Sequence, residues 1–131
     1  MTARINHVAV IVGAIVYFVW GAIWYTLFGN VWGALTGVTT TAPTTYVISF
    51  LIGFPLAYTI AYVLRGVRDP DGWRGGAVLG AVLGVGVWAT NLLEGDAYLM
   101  HPLGLWAIDA GYGVIGMAIV GAIIGGWRAK A

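Results

Sequence analysis

The sequence predicts an all-α integral membrane protein: a four-transmembrane-helix bundle with both termini in the cytoplasm. Three observations carry this. The chain of 131 residues is 60% hydrophobic and 8% charged, against about 25% charged in an ordinary soluble domain. Its apolar residues fall in four long, continuous runs. Every lysine and arginine lies outside those runs, at positions that four crossings bring to one side.

A helix needs about 20 apolar residues to cross a hydrocarbon core about 30 Å thick. The first run, residues 7–28, contains no charge and follows Arg4. Its length and its load of Tyr17, Phe18, Trp20, Trp24 and Tyr25 read as a retained helix rather than a cleaved signal peptide. The second, 46–64, carries Pro55 near its centre, where one backbone bond is lost and a bend or hinge is expected. The third spans 75–93, and the fourth, 105–127, holds a single charge, Asp109. Runs this long and unbroken are unlike the short alternating strands of a membrane barrel. In lipid their backbone groups must be bonded internally, which makes them helices. Residues 1–131 read as one membrane domain.

Arg4 precedes the first span, Arg65, Arg68 and Arg74 separate the second from the third, and Arg128 and Lys130 follow the fourth. The segments 29–44 and 94–104 contain no basic residue, so they are expected outside, together with Glu94 and Asp96. The expected location is the cytoplasmic (inner) membrane. The segment 65–74 reads as a turn, with Pro70 and Gly72 as helix breakers and Asp69 and Asp71 favouring local turn bonds. Residues 29–44 read as a polar surface link, with Trp32 at the interface.

Small residues let membrane helices approach closely. The repeat GAVLGAVLG sets Gly76, Gly80 and Gly84 on one face of the third helix, with Trp88 and Asn91 continuing it. The fourth helix carries Gly121 and Gly125 at the same spacing, and Gly113 and Gly116 beside Asp109 and Tyr112. Both faces read as helix-packing surfaces, within one chain or between chains.

A carboxylate inside a span is costly and faces protein or water rather than lipid. Helix order brings Asp109, Asn91 and Tyr112 to similar depth in the outer half, beside Trp24 and Tyr25 at the end of span one. Two readings of this intramembrane cluster stand: a hydrogen-bonded lock between helices, or a proton or cation site. His7 and His101 lie at opposite faces, while His101 with Glu94 and Asp96 offers only a weak external metal site. The chain has no cysteine, no glycine-rich phosphate loop, no nucleophile elbow and no HExxH motif. No enzyme activity, cofactor, metal or nucleic-acid partner is therefore expected.

The segments INHVAV, GAIWYTLFGNVW and DAGYGVIGMAIVGAIIGGW resemble the DUF1761 family of small bacterial membrane proteins, clearly in the terminal spans and in hydropathy between them. In that family the first helix typically ends in a Trp-Tyr pair followed by Phe-Gly and Trp; here these are Trp24, Tyr25, Phe28, Gly29 and Trp32. The last helix typically carries Asn-x-Gly-Tyr, and here Asp109 stands in place of Asn before Gly111 and Tyr112. An amide cannot titrate, so the resemblance implies hydrogen bonding as the shared requirement there. It implies the fold and leaves the activity unassigned. Two function classes follow. One is an accessory or interaction bundle, docked to itself as a homo-oligomer or to a larger membrane complex within the lipid bilayer. The other is a small transporter or channel with an outward-facing site around Asp109.

Overall fold

The computed structural model describes residues 4–67 and 72–127. The segment expectations for Arg68, Asp69, Pro70, Asp71, Arg128 and Lys130 fall outside those residues. Four helices are long and apolar enough to cross a membrane. They are α1 (His7–Thr36), α2 (Pro43–Arg65), α3 (Gly72–Tyr98) and α4 (Leu103–Gly126). There is no strand among the described residues.

Each helix is longer than its apolar run. Helix α1 continues eight residues past Phe28, through Gly29, Asn30 and Gly33, which read locally as breakers. The extra turns are held by ring packing along α1, where Trp32 meets Tyr25 edge-on at 6.0 Å, and by Leu35, which reaches over Gly104 at the start of α4. The helix stops at Gly37, whose φ of 77° is the left-handed conformation that glycine adopts freely, and its N–H bonds the Gly33 carbonyl. The polar link expected over 29–44 thus shrinks to six residues. Helix α2 starts at Pro43, a position where the missing N–H costs nothing. It runs through Pro55, whose carbonyl accepts from the Thr59 hydroxyl at 2.8 Å.

Helix α3 begins at Gly72, so Trp73 and Arg74 are helical rather than part of the turn. It also carries on to Tyr98, so Glu94 and Asp96 belong to a helix and not to a loop. Asp96 is 8% exposed. It was expected in the outer link; instead the His101 ring nitrogen lies 2.9 Å from its carboxylate and the His101 N–H closes the turn onto its carbonyl.

Residues Gly84–Ala89 of α3 form a π-helical stretch. A π turn shifts the backbone bonds and leaves carbonyls to be satisfied by other groups. Here side chains do so: Thr90 donates to Gly86 at 2.8 Å, Asn91 to Val87 at 2.6 Å, and the Trp106 indole to Ala89 at 2.9 Å.

Helix α4 is the centre of the bundle, and its packing is set by glycine. A Cβ added at Gly76 or Gly80 would overlap the backbone carbonyls of Gly121 and Met117, and one at Gly84 would lie 2.8 Å from the Val114 Cα. The glycine faces of α3 and α4 therefore meet each other within one chain. On the other side of α4, Tyr17 and Trp20 of α1 cover Gly116. Gly53 of α2 sits against Ala14 of α1, where an added Cβ would be 2.9 Å from its carbonyl oxygen. The buried core, including Val10, Ala14, Tyr17, Ile60, Leu64, Val120 and Ile124, fills the half of the bundle nearer the chain ends.

Asn6 closes that end. Its side-chain oxygen caps α1 by accepting from the Val8 and Ala9 N–H groups, and its amide donates to the Trp127 carbonyl at 2.8 Å. Asn6→Ala removes the cap and the tie to α4 together. Thermal unfolding in detergent is expected to show a loss of about 1–2 kcal/mol, whereas Asn6→Asp, which keeps the cap, should lose only part of it.

Candidate functional site

The half of the bundle nearer the α1–α2 and α3–α4 links is built differently. Three indoles reach α4 backbone carbonyls here: Trp20 to Tyr112 and Trp24 to Ile108, both at 3.0 Å, and Trp88 to Asp109 at 3.1 Å. These bonds fix the rotation of α4 against α1 and α3. They set Asp109 toward α1, where the Tyr25 hydroxyl donates to its carboxylate. The Tyr112 ring lies 5.2 Å from Tyr25 and 5.2 Å from Tyr17, making a run of three phenols down the α1–α4 seam. Trp32, Asp96 and His101 are the other polar groups within electrostatic reach of Asp109.

Of the sequence-predicted cluster, the structure brings Asp109, Tyr25, Tyr112 and Trp24 together. Asn91 lies apart: its amide donates to the Val87 carbonyl within the π stretch. It lines a separate apolar groove between α2 and α3, with Leu56, Ile60, Trp88 and Met117. The predicted packing glycines Gly76, Gly80, Gly84, Gly121 and Gly125 lie along the α3–α4 contact, Gly113 takes the Trp88 indole, and Gly116 takes Tyr17. Among the described residues no group of three or more His, Asp or Glu side chains is placed to hold a metal ion.

A cleft opens between α1, α2 and the link joining them, with a volume of about 610 Å³. Tyr25 and Tyr112 lie on its wall, so Asp109 stands behind Tyr25 rather than in the cleft itself. Thr26, Thr39, Thr41, Thr45, Tyr46 and Ser49 add hydroxyls; Phe18, Trp32, Val38 and Ile52 add apolar surface. None of the lining residues is charged. Sequence reading missed this cleft, since the threonines and serine are spread over α1, the link and α2. Trp32 had a usable signal, standing seven residues and two helical turns beyond Tyr25, but it required α1 to continue past Gly29.

Fold and site together define an all-α bundle of four membrane-length helices with a neutral, hydroxyl-lined cleft at one end. The chain belongs to the DUF1761 family, described as "Protein of unknown function", whose sequence model matches residues 8–125. Comparison with curated proteins and with solved structures returns no match.

Proposed function

We propose that the chain is a four-span protein of the cytoplasmic membrane, with both termini inside, that binds a small neutral amphiphile from the outer half of the bilayer. Insertion is supported by the outward faces of the helices. On α1, Val8, Ile11, Ile15, Val19, Ile23, Leu27 and Val31 are all exposed along one stripe, which is an apolar surface suited to lipid rather than water. Orientation is supported by charge: Arg4, Arg65 and Arg74 stand at the end of the bundle away from the cleft.

The cleft carries the binding reading. Its volume of about 610 Å³ falls within the range of small-molecule sites, roughly 300–1,000 Å³. Eight of its sixteen lining residues bear a hydroxyl and none a charge. Such walls suit a neutral head rich in oxygen, attached to an apolar chain. They leave an anionic or cationic head without a counter-charge. No general base lines the cleft, which favours binding over catalysis. The packed apolar core beneath it favours binding over conduction.

Native mass spectrometry of the protein in nanodiscs made from its own membranes tests this. Wild type is expected to retain a neutral lipid, and Ser49→Trp, which fills the cleft, to lose it. Equal retention by both, or none by either, would contradict the reading.

A partner role finds support in one feature. The glycine faces are occupied within the chain, but the seam between α2 and α3 holds an apolar groove of about 310 Å³. A helix of a second copy or of a larger complex would close it. Thr59→Cys, on that groove in a chain without cysteine, is then expected to form an intermolecular disulfide in native membranes, and monomer alone would count against it.

A further inference from the structure

We infer that binding in the cleft is coupled to protonation of Asp109 through a reversal of the Tyr25–Asp109 hydrogen bond, and that the ligand's head presents an oxygen acceptor to Tyr25. This rests on the cleft reading above.

Tyr25 belongs to two structures at once. It lines the cleft, and its hydroxyl donates to Asp109. A phenol has one proton to donate, so while Asp109 is ionised that donor is committed away from the cleft. The neighbouring Thr26 hydroxyl is likewise committed, to the Ala22 carbonyl at 2.6 Å. Neither Tyr25 nor Thr26 then has a proton to offer a ligand in the cleft. When Asp109 takes up one proton, its carboxylic acid becomes the donor and Tyr25 the acceptor. The Tyr25 proton is released from the pair and can turn into the cleft. No covalent bond other than the new carboxyl O–H forms or breaks.

Coupling of this kind is reciprocal: a ligand that needs the Tyr25 donor favours proton uptake by Asp109 to the same extent that protonation favours the ligand. The groups acting on Asp109 are Tyr25 and Trp32 from α1, Asp96 from α3, and His101 from the turn that follows. The His101 side chain is 38% exposed and the Asp96 side chain 11% exposed. The pair they form at 2.9 Å places two further ionisable groups near Asp109. A separate control for it is therefore needed.

The experiment follows quenching of tryptophan fluorescence in nanodiscs as monooctanoylglycerol, a neutral amphiphile with an ester carbonyl, is added at mildly acidic and mildly alkaline pH. Wild type is expected to bind about three- to tenfold more tightly at the acidic end, the worth of one hydrogen bond. Asp109→Asn and Tyr25→Phe should each abolish the pH dependence, while His101→Gln should retain it. Binding that is independent of pH in wild type overturns the coupling and leaves the cleft reading standing. A full pH dependence in Asp109→Asn also overturns it. No binding at any pH overturns the cleft reading, and the coupling with it.

Discussion

Gly80→Val destroys the native bundle. The α3–α4 contact is made by backbone: at Gly80 an added Cβ meets the Met117 carbonyl and at Gly76 that of Gly121, and neither neighbour is a flexible side chain that could move aside. The two helices must separate along their length, and with them goes the dispersion contact that holds membrane helices together, since lipid gives no hydrophobic drive to restore it. Overpacking a core usually costs about 1–3 kcal/mol. A side chain forced onto backbone that cannot move aside belongs at or above that limit, about 3 kcal/mol or more. Denaturation in mixed micelles reads the loss directly. Gly95→Ala is the control: nothing lies within 4 Å of its added Cβ, and the change should be neutral or slightly stabilising. If Gly80→Val unfolded no more readily than Gly95→Ala, the helices would not be packed as described.

Tyr25→Phe gives the second large effect. It leaves the Asp109 carboxylate without the phenol that donates to it. Hydrogen bonds to a charged group are worth about 1.5–3 kcal/mol, and the group left unpaired bears the desolvation cost as well. A loss of about 2 kcal/mol in unfolding free energy is expected. Asp109→Leu removes the same bond from the other side, and the double variant should be less damaged than the sum of the two. A coupling of about 1–3 kcal/mol from this cycle supports the direct bond, whereas additive losses would place the two side chains in separate environments. The cycle also separates Tyr25 from Asn91: Asn91→Ala combined with Asp109→Leu should be additive, because Asn91 serves the π stretch of α3.

Much of this architecture is legible in the sequence because long apolar helices and their packing faces are written in composition and spacing. The fourfold spacing of Gly76, Gly80 and Gly84 identifies a face, and the partner glycines of α4 follow from the same rule. Helix order and depth place Asp109 near the aromatics that end span one, and the direct bond to Tyr25 comes from the structure. The ends of the helices are less legible. Gly29, Asn30 and Gly33 carry strong local signals to stop, and α1 goes on past them through Trp32, which packs on Tyr25 two turns back, and Leu35, which meets Gly104 far along the chain. Asp96 shows the same limit. A carboxylate after an apolar run reads as solvated, and its burial depends on His101 folding back around the turn. The π stretch has no local signal in the sequence, and just beyond it the Asn91 amide turns to the Val87 carbonyl rather than to Asp109. The cleft is legible least of all, since its walls come from α1, α2, Tyr112 of α4 and a link whose extent hydropathy does not fix.

The absence of cysteine makes the proposed outward opening of the ligand cleft directly measurable. Ser49→Cys places a single thiol on the cleft wall. Added from the outer side of intact cells, a membrane-impermeant thiol reagent should label it, and monooctanoylglycerol should protect it. Labelling only after permeabilisation, or labelling from outside that the amphiphile leaves unchanged, would contradict the account.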